Sequence, residues 1–212
     1  TGVYIMLGKR TDGIISRYIN RRFSMPITNF IVKHKIPLTP NQVSFISFFI
    51  GVLGALMYFF ELGIIAGLLV QISSIVDGVD GELARATGMT SEFGGFMDSI
   101  LDRFVDILII FGLTYLVFLY NGSFFWVMIV TFFAVSGTIM VSYLHAAGER
   151  SFKRHPGQIG KVPNFASRDV RLFIIFIGSI LGFYFETLFI IMLISNLYVV
   201  LKFLDILIHW QQ

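Results

Sequence analysis

Six apolar runs, each near the length of a membrane-crossing helix, constrain this chain more than any other feature. They cover about residues 42–60, 62–85, 95–119, 124–147, 170–185 and 187–208. At 1.5 Å of rise per residue, roughly 20 residues cross a hydrocarbon layer ~30 Å thick. Inside lipid every backbone amide and carbonyl must be satisfied by the protein itself, which runs of this length achieve as helices. The composition agrees. Of 212 residues 56% are hydrophobic and 14% are charged, against about a quarter charged in a soluble domain. The expected fold is an all-α integral membrane domain with six transmembrane helices. There is no cysteine, so disulfides and thiolate metal sites are excluded.

The gaps between runs are short. Glu61 separates the first two, Tyr120, Asn121, Gly122 and Ser123 the third and fourth, and Glu186 the last two. Each pair therefore reads as a tight helical hairpin. The hairpin tips carry no Lys or Arg. The segment before the first run carries Lys9, Arg10, Arg17, Arg21, Arg22, Lys33 and Lys35, and the segment between the fourth and fifth carries Arg150, Lys153, Arg154, Lys161, Arg168 and Arg171. Six crossings place these segments on one face, which the positive-inside rule assigns to the cytoplasm, with both termini there.

Residues 1–41 read as a juxtamembrane segment and 42–212 as the membrane domain. Ile14, Ile15, Tyr18 and Ile19 form an apolar stripe opposite Arg17 and Arg21, followed by Phe23, Ile27, Phe30 and Ile31. This pattern predicts an interfacial amphipathic helix, with Asp12 as its cap and Pro26 as a kink or break. Thr39, Pro40, Asn41 and Gln42 open the first span. The chain starts TGVYIML, without an initiator Met or the layout of a signal peptide, which points to a fragment of a longer polypeptide.

Four aspartates lie between the second and third runs, in DGVDGELARATGMTSEFGGFMDSILD, residues 77–102. Asp77 and Asp80 are three apart and share a helix face, as do Asp98 and Asp102, four apart. The stretch from Ala86 to Phe93 reads as a short turn, which makes the two helices neighbours and lets the acidic faces converge. Four carboxylates side by side raise one another's proton affinity unless a cation compensates. Oxygen-only ligands without histidine favour Mg²⁺, Mn²⁺ or Ca²⁺ over zinc, and one or two such ions would clamp a diphosphate. Ionisable residues at membrane depth are functional by default. Gly78, Gly81, Ala84 and Gly94 strip side chains from the surrounding helices, for ligand approach or for helix packing. Arg85 is placed to neutralise a phosphate or to pair with Glu82. Asp106, one turn beyond Asp102, reads as a structural partner of Arg103.

As a pattern the stretch is D-x₂-D-G-x₂-A-R-x₈-G-x₃-D-x₃-D, filled by Asp77, Asp80, Gly81, Ala84, Arg85, Gly94, Asp98 and Asp102 without gap or substitution. It resembles the signature of the CDP-alcohol phosphotransferases. The resemblance implies transfer of a substituted phosphate from a CDP-linked alcohol to an acceptor hydroxyl, with release of CMP. It implies that Asp77, Asp80 and Asp98 hold Mg²⁺ or Mn²⁺ with Asp102 beside them, and that Asp102 is the general base. It also implies that Gly81, Ala84, Arg85 and Gly94 line the CDP site, and that the protein is a homodimer.

Six cations in RSFKRHPGQIGKVPNFASRDVR, residues 150–171, fall on the face of the aspartates. Topology alone accounts for a basic loop. A phosphate-bearing acceptor would account for it too, with Lys153, Arg154, Lys161, Arg168 and Arg171 as its ligands. The N-terminal stretch GKRTDGIISRYINRRFSMPIT, followed by PLTPNQVS, resembles the membrane half of bifunctional inositol-phosphate cytidylyltransferase / di-myo-inositol-phosphate-phosphate synthases. That implies CDP-inositol as donor, inositol phosphate as acceptor and an upstream cytidylyltransferase domain. The alternatives are a phospholipid synthase using CDP-diacylglycerol with a polyol or polyol-phosphate acceptor and, in another class, a divalent cation transporter. The transporter requires polar residues continuing through the outer half of the bundle, and the outer hairpin tips are poor in them. A net charge of +3 is explained by topology and gives no support to nucleic-acid binding.

Overall fold

The computed structural model describes residues 13–121 and 124–210. Asp12, Lys9, Arg10 and the Gly122–Ser123 part of one hairpin tip lie outside them. The described residues form helices joined by short connections, with no strand among them. They are α1 (Arg21–Lys33), α2 (Pro40–Phe59), α3 (Gly63–Thr87), α4 (Glu92–Asn121), α5 (Phe124–Phe152), α6 (Arg168–Leu181) and α7 (Tyr184–His209). A π-helical turn, Ser16–Asn20, leads into α1. Five of these helices, α2, α3, α4, α5 and α7, are long and apolar enough to cross a membrane. The fifth expected span is α6, which has 14 residues. At 1.5 Å per residue it extends about 21 Å, short of a full hydrocarbon layer. The α6–α7 hairpin turns at Gly182, in the left-handed conformation with φ 74°, and Glu186 lies inside the first turn of α7.

Local chemistry sets the helix ends that matter for the site. Thr39 and Gln42 form a reciprocal capping box at the start of α2, with Pro40 as its first residue, where a missing amide hydrogen costs nothing. Gly88 closes α3 in the left-handed conformation, φ 71°, which a residue without Cβ adopts freely. Pro26 does not break α1, which runs through it. The lost backbone hydrogen bond is offset because the polar side of the helix docks on α3. Asn20, Ser24 and Thr28 are buried there, whereas Ile14, Tyr18, Phe23, Ile27 and Phe30 are exposed. Most of the apolar stripe thus faces outward, as an interfacial helix requires, while Ile31 turns inward against Val43, Val79 and Leu83.

The core lies at mid-bundle and includes Tyr58, Ala66, Val70, Ile109, Leu113, Leu116, Leu172, Leu188 and Ile191. A Cβ on Gly54 would meet Ala66 O and Leu69, and one on Gly112 would run into Ala55 O. Small residues let these backbones approach closely, as membrane helices commonly do. Tyr58 and Ser179 share a 2.6 Å hydrogen bond from α2 to α6. Asn196 donates to Phe133 O at 2.8 Å, tying α7 to α5. Contrary to the neighbour relation expected from the short turn, α3 and α4 touch only sparingly, and α2 packs against both. The two helices diverge around a cleft floored by the start of α2.

Candidate functional site

Asp77 comes from α3, and Asp98 and Asp102 come from successive turns of α4. One carboxylate oxygen from each lies within 4.8 Å of the other two. Asp80 sits one turn along α3, where Ser44 of α2 donates to its Oδ2 at 2.5 Å, the Gly81 amide donates to its Oδ1, and Asp98 is within hydrogen-bonding reach. The four aspartates therefore converge, with Asp77, Asp98 and Asp102 as the tight trio and Asp80 braced beside them. Metal–oxygen distances of about 2.0–2.6 Å suit a hard cation among oxygens at this spacing. The donor set fits the cation that the spacing of the acids predicts.

Three guanidinium groups adjoin the acids, all of them through Asp106 one turn further along α4. Arg168, the first residue of α6, lies 2.9 Å from Asp77 Oδ2, 2.8 Å from Asp102 Oδ1 and 3.0 Å from Asp106 Oδ1. Arg171 donates to Asp106 at 3.3 Å and to Ala166 O at 2.8 Å. Arg103 lies 3.4 Å from Asp106 and 3.5 Å from Asp102. Asp106, 4% exposed, is thus the anchor on which the arginines are fixed. Five carboxylates against three guanidinium groups leave a formal excess of two negative charges, which one divalent ion balances. Glu82 is fully buried. It accepts from Arg21 at 2.7 Å, Ser24 at 2.6 Å and Thr28 at 2.7 Å, so its ionic partner is Arg21 of α1. Arg85 instead lies over Gly81.

Two cavities open on this cluster. One, of about 350 Å³, occupies the cleft between α3 and α4. Gly81, Ala84, Arg85 and Gly94 all line it, with Asp80 and Asp98 at its inner end and Asn41 and Ser44 as its floor. A Cβ on Gly94 would crowd Ser91 Oγ and Asn41 Oδ1, so glycine keeps the cleft open. The other, of about 660 Å³, lies across the acids and is lined by Asp77, Asp102, Arg103, Arg168 and Arg171. Its remaining wall includes His145, His155, Asn164, Ser167 and the turn from Gly13 to Asn20. Ser16 N donates to Asp169 Oδ2 at 2.5 Å and holds that turn in place.

Of the five cations expected to hold an acceptor phosphate, the structure brings Arg168 and Arg171 to the acids. Lys153 and Lys161 are exposed on the loop, and Arg154 lines a third cavity. Lys161 contributes its amide to Asp205 at 3.0 Å, and Lys202 pairs with the same carboxylate at 3.1 Å, as their spacing predicts. Sequence reasoning did not place Arg103, His155, Asn164 or Ser167 at a site. They come from segments far apart in the chain, and no local spacing relates them.

Comparison with known proteins gives a consistent answer. Residues 37–206 match the family model described as CDP-alcohol phosphatidyltransferase. The chain is 42% identical over 173 residues to the bifunctional IPC transferase and DIPP synthase of Archaeoglobus fulgidus, covering 81% of this chain and 33% of that protein. It is 36% identical over 193 residues to the protein of the same name from Aquifex aeolicus, covering 90% and 43%. It thus spans between a third and a half of the length of these relatives. The archaetidylinositol phosphate synthase of Pyrococcus horikoshii is 37% identical over 143 residues, covering 68% of this chain and 70% of that one. The fold matches the crystal structure of Mycobacterium tuberculosis phosphatidylinositol phosphate synthase (PgsA1) with CDP-DAG bound, at a TM-score of 0.73 and 22% identity, covering 89% and 95% of the two chains. The same enzyme in complex with manganese and citrate matches at 0.70, with 21% identity over 88% and 90%. On the matched residues and the complete acidic signature, this chain belongs to the CDP-alcohol phosphatidyltransferase family.

Proposed function

We propose that the chain transfers a substituted phosphate from CDP-inositol to a hydroxyl of inositol phosphate, releasing CMP, with the site and both termini on the cytoplasmic face. The observation that carries this reading is the pair of cavities meeting at one acidic cluster, the smaller lined by every expected CDP-binding residue. Gly81, Ala84, Arg85 and Gly94 hold the cytidine diphosphate. Asp77, Asp80, Asp98 and Asp102 hold one or two Mg²⁺ or Mn²⁺ ions, which would neutralise the diphosphate and the departing CMP. The acceptor oxygen attacks the phosphorus that carries the donor alcohol, and the bond from that phosphorus to the bridging oxygen of CMP breaks. Asp102 takes the hydroxyl proton. Arg168 orients Asp102 and, with Arg171 and Arg103, faces the acceptor phosphate, where a planar donor fork suits its oxygens. The similarity to bifunctional synthases supports an upstream cytidylyltransferase domain that supplies the donor. Residues 1–41 serve as the juxtamembrane segment, and the working unit is a homodimer.

A second reading has its own support. Phe93 and Phe96, next to the donor-cleft residues Gly94 and Gly95 on α4, are exposed, and such a surface suits the chains of a lipid-linked donor. The archaetidylinositol phosphate synthase likeness points the same way. CMP release by the purified protein with Mg²⁺ or Mn²⁺ separates the two. Release from CDP-inositol plus inositol phosphate, abolished by EDTA, supports the first. Release from CDP-diacylglycerol alone moves the protein to phospholipid synthesis with the mechanism intact. No metal-dependent release from either donor overturns both.

A further inference from the structure

The loop between α5 and α6 has two faces, and only one serves the acidic cluster. His155 and Asn164 line the large cavity there, whereas Arg154, Gln158 and Gly160 line a separate cavity of about 490 Å³. Phe152 at the end of α5 and His209 and Trp210 at the end of α7 complete it. Its volume lies within the usual range of ligand sites, about 300–1,000 Å³. None of its lining residues lines either of the other two cavities.

Charge and position define what this cavity fits. The cation of its wall is Arg154. Asp205, whose carboxylate lies beside Gly160 of the wall, is already engaged: it takes Lys202 at 3.1 Å, His209 of the wall at 3.2 Å, the Lys161 amide at 3.0 Å and the Val162 amide at 2.9 Å. An anion beside Arg154 therefore meets a neutralised neighbour. The cavity sits where two long apolar helices end, on the face that carries the aspartates. Below it α7 presents Leu204, Leu207 and Ile208 outward, Ile208 being 72% exposed. Trp210, 53% exposed, and Phe152 lie at the rim with ring centroids 6.4 Å apart, and Trp is characteristic of the membrane interface. A headgroup-sized cavity, one guanidinium and exposed apolar side chains on the helix that ends at it match an anionic phospholipid.

We propose that this cavity binds the headgroup of an anionic phospholipid, its phosphate on Arg154 and its chains along α7, and that the bound lipid braces the loop whose other face walls the large cavity. Trp126 and Trp210 are the two tryptophans of the chain, and Trp126 begins α5 at the opposite membrane face, so a Trp126→Phe background makes Trp210 a reporter. The protein in phosphatidylcholine nanodiscs would be titrated with brominated-chain phosphatidylglycerol or brominated-chain phosphatidylcholine. Quenching of Trp210 should favour phosphatidylglycerol by about fivefold, the share of one interfacial cation. Arg154→Gln should abolish that preference and Arg154→Lys should keep most of it. Equal quenching by the two lipids, or a preference that survives Arg154→Gln, overturns the proposal. A preference erased by millimolar inorganic phosphate with no lipid selectivity left also overturns it, in favour of a soluble anion. The readout needs no turnover, so it stands or falls independently of the donor and acceptor proposed above.

Discussion

The two cavities on either side of the acidic cluster are built differently. The smaller takes its lining from two stretches, residues 40–44 and 80–98. The larger draws on the N-terminal turn, α3, α4, α5, the loop before α6 and α6 itself. The first is a cleft that opens because α3 and α4 diverge over α2, and small residues keep it clear. The second is a basin walled by side chains, with its charge set by arginines fixed on Asp106. On the proposed assignment, diphosphate recognition would be local, whereas the acceptor side would be assembled from segments far apart in the chain. Apart from Asp77 and Asp102, the wall of the larger cavity lies outside the fixed positions of the signature.

The strongest test acts on the shared border. Asp102→Asn should lower CMP release by about 10²–10⁴-fold, measured as kcat with both substrates saturating. A loss below tenfold would leave Asp102 without the proton-accepting role. Next come two changes that should separate the cavities. Arg168→Gln removes the group held by Asp77, Asp102 and Asp106, and should raise the acceptor KM about 10–100-fold, the worth of a charge-assisted hydrogen bond. Arg168→Lys should recover only part, since an ammonium lacks the planar fork. Gly94→Val fills the donor cleft against Asn41 and Ser91, and should raise the donor KM with the acceptor KM little changed. If both variants shift both constants equally, the division into two cavities fails.

Smaller effects probe the frame that supports them. Glu82→Ala leaves Arg21 facing the protein without its carboxylate, 2.7 Å away in the native structure. Breaking such a pair costs about 3 kcal/mol, which should appear as a lower unfolding temperature in detergent. Glu82→Gln should lose less, because its amide oxygen still accepts from one side of the Ser24–Thr28 pair and the side chain still fills the site. At the far membrane face, Glu61 turns the α2–α3 hairpin with φ 60°, a conformation that costs a side-chain-bearing residue about 1 kcal/mol. Glu61→Gly should raise the unfolding temperature by about 2–4 °C and leave turnover unchanged.

Much of this was legible in the chain because it depends on short-range periodicity. Apolar runs mark α2 to α5 and α7, the Thr39–Gln42 box marks where α2 starts, and spacings of three and four place the aspartates on common faces. Those features follow from helix geometry alone. The errors share one cause, which is that packing overrode a local signal. Pro26 reads as a kink or a break, and the break does not occur: α1 continues through it because its polar side is held by α3. Glu186 reads as a hairpin tip, yet the turn falls at Gly182, where a left-handed residue satisfies the end of α6. Between the two roles open to Arg85, a phosphate or Glu82, packing disfavours the second: Glu82 pairs with Arg21, more than sixty positions earlier in the chain.

Five long membrane helices, the acidic signature and the family are legible in the chain alone, since each is a property of residues within a few turns of one another. Packing between distant segments makes α3 and α4 part to form a cleft. It also decides that Arg168 and Arg171 reach the aspartates while Lys153, Arg154 and Lys161 do not. Those outcomes depend on which helix packs against which, and a guanidinium fixed by Asp106 from another helix leaves no trace in local spacing.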